Sequence, residues 1–309
     1  MAIKYSNNKN RFVIDSYGKY FHDQRINNLF YEKKIRFTPP NEFNDPLEFK
    51  PTLKGNNLHD FYIFQGRPYP SKASMIREGI IGFLSEYYGV LSLTKVPDSF
   101  YMWSMYANGH KGFFVVLKED FNLQSSLIDD EIHWPIKKVN YTNNYCLNIE
   151  GDFVDLNYAD NLLRSNFDKI VFAKIKRWMN EKEYRMARLL KKVENKSERS
   201  LFDFDLNYIS DIVFGSSMSI ENKFRIIEKC EGINVKFYQA SIAQDAKDYE
   251  KKLGKIFIWK IPEDVSWKNL KWADASHFCS DLEILKGKEI PILKLEDLPY
   301  SPERVVLRK

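Results

Sequence analysis

The spacing of apolar side chains predicts an irregular succession of short strands and helices, without an internal repeat or a low-complexity tract. Alternating or continuous apolar runs predict strands over residues 34–38, 90–94 and 113–117. The tyrosine-rich segment over residues 8–20 predicts a further, early strand. Apolar residues at three- and four-residue intervals predict helices over residues 25–32, 74–88 and 162–179.

The C-terminal third predicts a strand–helix–strand unit with short connections. A strand over residues 212–214 precedes a helix that Ser219 caps and that Glu221 stabilises at its positive end. Gly232 ends this helix, and alternating apolar residues over 233–237 predict the next strand.

The succession is too irregular for a doubly wound parallel sheet, in which strands and helices alternate regularly. We therefore expect an α+β fold: a mixed, mostly antiparallel twisted sheet, or a pair of such sheets, with peripheral helices. The chain then continues into a strand near residue 256 and a tryptophan-rich tail. We expect one domain over residues 1–255 and a C-terminal extension over residues 256–309.

The composition is that of a folded globular protein, with 44% apolar and 15% aromatic residues. No apolar run approaches the ~20 residues that a membrane-spanning helix needs, and the polar N-terminus predicts no secretory signal. Cys146, Cys230 and Cys279 are widely separated, which argues against a disulfide framework and a structural zinc site. A cytoplasmic location without membrane association is the expectation.

Positive charge is concentrated in one segment. Residues 171–199 contain ten Lys or Arg and four Glu, an excess of six charges in a chain whose net charge is +5. A local basic stripe suits a polyanion such as nucleic acid. The candidate contacts are Lys174, Lys176, Arg177 and Arg185. The alternative interpretation is a solvated helix face followed by a charged loop.

Four ordered motifs stand out. They are IRFTPPNEFNDPLE at residues 35–48, LSLTKVPDSFYMWSMYANGHKGFFVVL at 91–117, RWMNEKEYRM at 177–186 and DIVFGSSMS at 211–219. Together they resemble an uncharacterised bacterial family, a domain of unknown function, over roughly residues 17–240. The tail after about residue 255 lies outside this resemblance.

That family in turn resembles the ADP-ribosyltransferases. The resemblance rests on Tyr17, Lys19 and Tyr20 near the start, on Ser92 and Thr94 followed by Met102, Trp103 and Tyr106, and on the pair Glu181 and Glu183. It implies an ADP-ribosyltransferase-like fold, NAD as a substrate and no metal. It also implies a toxin or phage-defence role, and with it a neutralising antitoxin protein as a possible partner.

The resemblance assigns Glu183 to stabilising the transition state and Glu181 to orienting the acceptor. Cleavage of the nicotinamide–ribose bond passes through an oxocarbenium-like centre, which a fixed carboxylate stabilises. A strand over residues 181–188 places both glutamates and Arg185 on one face, whereas a helix separates them. Apolar alternation in this stretch favours the strand, and the alternative interpretation is a surface glutamate pair.

Under the same resemblance, Arg36 and Lys19 hold phosphate, since a guanidinium fork binds phosphate oxygens bidentately. Ser92, Thr94 and Tyr20 line the nicotinamide-ribose pocket. For Arg36 the alternative is an ion pair with an acidic residue of the 35–48 motif, either Glu48 or Asp45.

Three further side chains are candidates for the cofactor pocket. Trp103 and Tyr106 suit stacking on nicotinamide or on a target base, although aromatic residues at this spacing also suit a core. His110 suits a bond to a ribose hydroxyl or acid–base chemistry near neutral pH, and the alternative is a structural turn residue.

Two other function classes stay open. One is a non-catalytic module that binds nucleic acid or a partner protein within a defence system. The other is a metal-dependent nuclease using Asp45, Glu48 and Glu183. No P-loop, Rossmann or hydrolase motif occurs, so those three interpretations lack support. On the resemblance, the leading hypothesis is an ADP-ribosyltransferase that modifies a macromolecule. The basic segment favours nucleic acid as the acceptor, with RNA preferred.

Overall fold

The computed structural model describes residues 3–6, 11–54, 61–64, 67–70, 72–119, 121, 133–143, 146–148, 156–195, 197–242 and 256–261. Two compact units are built from interleaved segments of the chain. The first unit comprises residues 1–33, 95–119 and 205–309, and the second comprises residues 34–94 and 120–204. Each unit thus combines segments that are far apart in sequence.

The elements of the first unit are β1 (Ile3–Ser6), β2 (Arg11–Ile14), β3 (Gly18–Phe21), α2 (Phe100–Tyr106), β9 (Phe113–Leu117), β16 (Ile209–Phe214), α4 (Ile220–Lys229), β17 (Lys236–Ile242) and β18 (Ile256–Lys260). Those of the second unit are β4 (Lys34–Arg36), β5 (Thr52–Lys54), β6 (Phe61–Phe64), β7 (Arg67–Pro70), α1 (Lys72–Tyr87), β8 (Tyr88–Thr94), β10 (His133–Lys138), β11 (Asn140–Thr142), β12 (Cys146–Asn148), α3 (Leu156–Val171), β13 (Ala173–Ile175), β14 (Glu183–Leu189) and β15 (Leu201–Asp203). The predicted α+β class with a mixed, mostly antiparallel sheet is confirmed.

The sheet of the first unit runs β3–β9–β16–β17–β18, and only β16 and β17 are parallel. Helix α4 connects this parallel pair, which confirms the predicted strand–helix–strand unit. The Ser219 hydroxyl accepts a hydrogen bond from the Asn222 amide and caps α4 as predicted. Strand β18 pairs with β17, so the strand that opens the predicted C-terminal extension is part of this sheet. Residues 262–309 lie outside the described residues.

The second unit contains the antiparallel sheet β10–β14–β8. Its register places Glu183 opposite Thr94 and Arg185 opposite Ser92. Apolar side chains of α1, α3 and β8 form a buried core with Phe49, which lies in the turn after the 35–48 motif. Phe49 of this core also contacts the buried Arg185 guanidinium.

One helix prediction is wrong in its second half. The predicted helix over residues 162–179 ends at Val171, and the chain then forms β13 and a 3-10 turn at Lys176–Glu181. Strand β13 pairs in parallel with β11. Ile175 pairs with Thr142 of β11 and Trp178 lies in the 3-10 turn, so neither residue continues the helix although both follow its spacing.

Gly89 on β8 provides a stability test of this unit. A Cβ atom at Gly89 would lie 2.6 Å from the Phe37 carbonyl oxygen and 2.7 Å from the Phe37 Cβ atom. Because Phe37 is fully buried and cannot move aside, Gly89→Ala is expected to lower the free energy of unfolding by about 1–3 kcal/mol. Urea unfolding measures this difference.

Gly79→Ala is the matched control. Gly79 lies on an exposed turn of α1, and nothing lies within 4 Å of an added Cβ atom. This substitution is expected to raise stability by about 0.5–1 kcal/mol, because alanine is the better helix former. A Gly89→Ala variant as stable as Gly79→Ala would contradict the close approach of Phe37.

Candidate active site

Five charged side chains meet in the interior of the second unit, and we call them the ionic cluster. Its members are Glu48, Lys174, Glu181, Glu183 and Arg185. Their exposed fractions lie between 0% for Arg185 and 5% for Lys174. Charged groups this deeply buried are rare unless they are paired, so each member's partners decide what the cluster can do.

Arg185 is the centre of the ionic cluster. Its Nε donates to Glu183 Oε1 at 2.8 Å, and its Nη2 lies 2.5 Å from Glu48 Oε1 and 3.1 Å from Glu183 Oε2. Its Nη1 donates to the Val171 carbonyl at 2.6 Å. The guanidinium also lies 5.1 Å from the centre of the Phe49 ring. The planar fork thus holds two carboxylates in a fixed relation.

Lys174 on β13 connects the three carboxylates. Its Nζ lies 2.7 Å from Glu181 Oε2, 3.1 Å from Glu183 Oε2 and 3.2 Å from Glu48 Oε2. Three carboxylates and two cations leave one formal negative charge in excess within the ionic cluster. In a poorly solvated interior, this excess favours a positive charge placed beside it.

Glu181 and Glu183 converge by a different backbone route from the predicted one. Strand β14 begins at Glu183, and Glu181 ends the preceding 3-10 turn. Lys182 between them adopts a left-handed conformation, with φ 47°. The Thr94 hydroxyl fixes this bend by donating to the Glu181 carbonyl at 2.8 Å. The predicted strand over residues 181–188 is therefore two residues too long at its start, although both glutamates are buried in one cluster.

The ionic cluster keeps Glu183 ionised. Burial opposes ionisation, but the charges of Arg185 and Lys174 outweigh it and lower the Glu183 pKa to about 2. Burial also acts to lower the Lys174 pKa, but the nearby Glu183 and Glu48 carboxylates raise it above its ordinary value. Glu183 is thus ionised near neutral pH and holds no proton that it could donate.

Two more polar side chains contact Glu183. The Ser92 side chain hydrogen-bonds to its carboxylate and contributes to the lowered pKa. The Tyr141 hydroxyl accepts a hydrogen bond from the Glu183 amide at 2.8 Å. Burial, followed by the Glu183 and Glu181 charges, raises the Tyr141 pKa, so the phenol stays neutral. No sequence pattern marks Tyr141, which lies in a stretch without clear periodicity.

The structure thus brings together six of the predicted site residues: Ser92, Thr94, Lys174, Glu181, Glu183 and Arg185. The structure adds two residues to this group. Glu48 contacts Arg185, and Tyr141 contacts the Glu183 amide. The sequence places Glu48 in the competing nuclease hypothesis and among the alternative ion-pair partners of Arg36. Its burial beside Arg185 depends on a contact across 137 sequence positions.

Arg36 lies in the same unit but has other partners. Its Nε donates to the Ser200 hydroxyl at 3.3 Å, and its Nη2 pairs with Glu42. An ion pair was the alternative expected for Arg36, although the expected partners were Glu48 or Asp45. Its guanidinium is already engaged by a carboxylate.

The other predicted cofactor residues lie in the first unit. Tyr20 is buried and its hydroxyl donates to the Val96 carbonyl at 2.6 Å. Trp103 is fully buried and donates from Nε1 to the Pro97 carbonyl at 2.8 Å, so its ring offers no open face for stacking. Tyr106 packs against the same apolar core, and Lys19 lies 5.7 Å from the Phe21 ring on β3.

His110 is a buried turn residue with φ 68°. Its Nε2 lies 3.2 Å from the Ser104 hydroxyl, and its carbonyl accepts a hydrogen bond from the Ser217 amide. Burial lowers the pKa of the imidazole, which is therefore neutral at pH 7. These contacts match the structural alternative expected for His110.

The basic segment differs from the surface stripe that its sequence predicted. Lys174 and Arg185 belong to the buried ionic cluster, and Arg188 is buried against the Phe202 ring. These side chains therefore lie in the interior of the second unit and do not form the exposed basic stripe that the sequence predicts. Lys176 and Arg177 are exposed, and they lie on the 3-10 turn that ends at Glu181.

The described residues contain no group of three or more His, Cys, Asp or Glu side chains suited to a metal ion. No helix among them is long and apolar enough to cross a bilayer.

One family model matches part of the chain. It is the model of a family described as "Protein of unknown function (DUF2971)", and it matches residues 102–186, which include most of α2 and the cluster members Lys174, Glu181, Glu183 and Arg185. The predicted resemblance to an uncharacterised domain family is thereby supported. No curated protein and no solved structure matches the chain.

Proposed function

We propose that the chain is an NAD-dependent ADP-ribosyltransferase, with Glu183 as its transition-state-stabilising carboxylate. The observation that carries this proposal is the pairing of β8 with β14, which places Ser92 and Thr94 beside Glu181 and Glu183. These residues were assigned from the sequence to the nicotinamide-ribose pocket and to catalysis. Their convergence in one buried cluster supports a common role.

The charge of the ionic cluster suits the reaction. The bond between the ribose C1′ and the nicotinamide nitrogen breaks, and nicotinamide leaves with the electron pair. The ribose then carries positive charge until an acceptor oxygen or nitrogen attacks C1′ and loses its proton. One excess negative charge in a poorly solvated site stabilises that cation. Glu183 supplies this charge without first having to lose a proton, and Glu181 orients the acceptor.

Exposed positive charge beside Glu181 supports nucleic acid as the acceptor. Lys176, Arg177 and Lys182 are exposed, and they lie within six residues of one another around the 3-10 turn. Polyanions bind such groups through their phosphates, with a marked dependence on salt. RNA is the favoured acceptor, and a toxin or phage-defence role with a neutralising protein partner belongs to the same proposal.

The test incubates purified protein with NAD labelled in the adenylate moiety and with separate pools of cellular RNA, DNA and protein. Label is expected in one polymer class, with RNA favoured. Glu183→Gln is expected to reduce transfer about a hundredfold or more, because it removes the stabilising charge while keeping the shape of the side chain. Counting label per polymer class measures transfer, and nicotinamide release measures bond cleavage.

Glu86→Gln is the matched control, since it removes one carboxylate from α1 that pairs with Arg199 at the surface. It is expected to retain full transfer. If folded wild-type protein neither transfers label nor releases nicotinamide, the proposal is wrong. The binding-module alternative then becomes the better interpretation, with the ionic cluster in a structural role.

A further inference from the structure

The 3-10 turn at Lys176–Glu181 directs its positive charges to solvent and its negative charge inward. Lys176 and Arg177 at its start are exposed, as is Lys182 directly after it. The acidic residue of the turn, Glu181, is buried in the ionic cluster. The outer side of this turn therefore carries three positive charges. We call residues 176–182 the basic turn.

The first two cations of the basic turn have no acidic partner in the described part of the chain. Lys50 and Lys137 of the same unit pair with carboxylates, whereas no described carboxylate forms an ion pair with Lys176 or Arg177. Strand β11, which pairs with the strand that leads into the turn, adds no acid: residues 138–143 contain a lysine and two exposed asparagines. This surface therefore suits a polyanion.

A large apolar side chain lies among these charges. Met179 is 56% exposed and stands between Arg177 and Lys182 in sequence. The methionine sulfur is polarizable and contacts aromatic rings favourably. A nucleic-acid base is such a ring, and every base has a face on which a side chain can pack. The basic turn thus suits a ligand that offers both phosphates and open base faces.

The basic turn is held from its inner side. The Lys182 amide donates to the Met179 carbonyl at 3.3 Å, and Lys174 Nζ pairs with Glu181 Oε2 at 2.7 Å. Trp178 is half-buried, and Lys174 Nζ lies 5.3 Å from the centre of its ring. Because these contacts fix the backbone, little conformational entropy is lost when the exposed side chains bind a ligand.

We infer that the basic turn binds a single-stranded nucleic acid, with its cations on the phosphates and Met179 against an unstacked base. The inference rests on the proposed function for the role of this strand as acceptor, because Glu181 joins the turn to the ionic cluster. A duplex keeps its bases stacked and offers the turn only phosphates. An anionic bilayer fits less well, since bilayer binding relies on the apolar face of an amphipathic helix.

The first test measures the affinity of the unmodified protein, without NAD, for fluorescently labelled RNA by anisotropy. Three probes are compared: an unstructured strand of about twelve nucleotides, the duplex of the same sequence, and a strand of equal length that lacks the bases. The single strand is expected to bind about tenfold or more tightly than either other probe. A surface that reads charge alone would instead favour the duplex, whose charge density is higher.

Two variants separate the phosphate contact from the base contact. Arg177→Gln is expected to reduce the slope of log affinity against log salt concentration by about 0.7, because one phosphate contact is lost. Met179→Ala is expected to weaken single-strand binding about fivefold while leaving that slope and the affinity for the strand without bases unchanged.

Lys192→Gln and Val193→Ala are the matched controls. Lys192 is exposed and Val193 is 45% exposed, and both follow the end of β14 that is remote from Lys182. Each control is expected to bind all three probes as the unmodified protein does. A loss in a control equal to that of its partner variant would overturn the assignment to the basic turn.

These measurements are independent of transfer, so the two proposals fail separately. Absence of RNA binding, a preference for the duplex, or unchanged single-strand binding by Met179→Ala overturns this inference. Binding to phosphatidylserine vesicles in place of RNA also overturns it. Tight single-strand binding without transfer or nicotinamide release overturns the acceptor role and the proposed enzyme, and it supports the basic turn as the contact surface of a binding module.

Discussion

Replacing Arg185 with methionine is expected to lower the free energy of unfolding by about 3–5 kcal/mol. Methionine fills a similar volume, so the loss comes mainly from charge and hydrogen bonding. Without the guanidinium, Glu183 keeps only Lys174 as a cationic partner, and Glu48 loses its 2.5 Å contact with Nη2. The ionic cluster then holds three carboxylates and one cation in a fully buried position. Urea unfolding at neutral pH measures the effect.

A double variant separates charge imbalance from lost packing. Adding Glu183→Gln to Arg185→Met leaves two carboxylates and one cation, which restores the original excess of one negative charge. The double variant is therefore expected to be more stable than Arg185→Met alone, with a coupling of about 1 kcal/mol or more. Lys34→Met is the surface control, since the partner of Lys34, Asp203, is 81% exposed. This substitution should lower the free energy of unfolding by only about 0–1 kcal/mol. Equal losses for Arg185→Met and Lys34→Met would show that the cluster is solvated.

The sequence predicted much of the secondary structure because apolar spacing reports directly on burial. Helix α1 and strands β8 and β9 were predicted within two residues of their observed ends, since each has a strong apolar pattern and a clear boundary. The predicted helix over residues 25–32 became a 3-10 turn at Asp23–Arg25 and a π-helical turn at Asn27–Tyr31. Short helical patterns do not distinguish these hydrogen-bonding schemes.

The candidate site was harder to predict, because its cations and anions come from distant segments. Lys174 and Arg185 lie in a run of positive charge, which sequence alone assigns to the surface. Their burial depends on Glu48, which reaches them from the Asp45–Phe49 turn. Trp103 shows the opposite error, since its aromatic ring was assigned to ligand stacking and lies in the core. Both errors arise because residue type does not reveal tertiary partners.

The left-handed bend at Lys182 was also beyond sequence analysis. Lysine carries no special preference for positive φ, so nothing in the motif marks the bend. The bend nevertheless decides where Glu181 lies, because it ends the 3-10 turn and starts β14. The resemblance pairs the two glutamates, and the structure places both in the ionic cluster. Their shared environment follows from this bend and from Lys174, which contacts both.

Acidification is expected to lower the free energy of unfolding by about 3 kcal/mol as Glu183 becomes protonated. Its pKa is about 2 in the folded chain, and its ordinary value is 4.5. Because the folded-state pKa is lowered, the unfolded chain binds more protons between these values, and stability falls as pH falls. The contribution is complete above about pH 4.5 and is lost progressively towards pH 2. Urea unfolding at several pH values from 6 downwards measures it.

Glu183→Gln isolates this effect, because glutamine does not titrate. Between about pH 4.5 and pH 2, the unmodified chain is expected to lose about 3 kcal/mol more of its unfolding free energy than this variant loses. Asp203→Asn is the control. Lys34 lowers the Asp203 pKa through a hydrogen bond, but solvent screens that exposed pair. The difference in unfolding free energy between the unmodified chain and Asp203→Asn should therefore change little with pH. Parallel stability curves for the unmodified chain and Glu183→Gln would mean that Arg185 and Lys174 do not hold Glu183 as a buried anion. The ionic cluster would then lack the permanent negative charge on which the proposed stabilisation of the ribose cation depends.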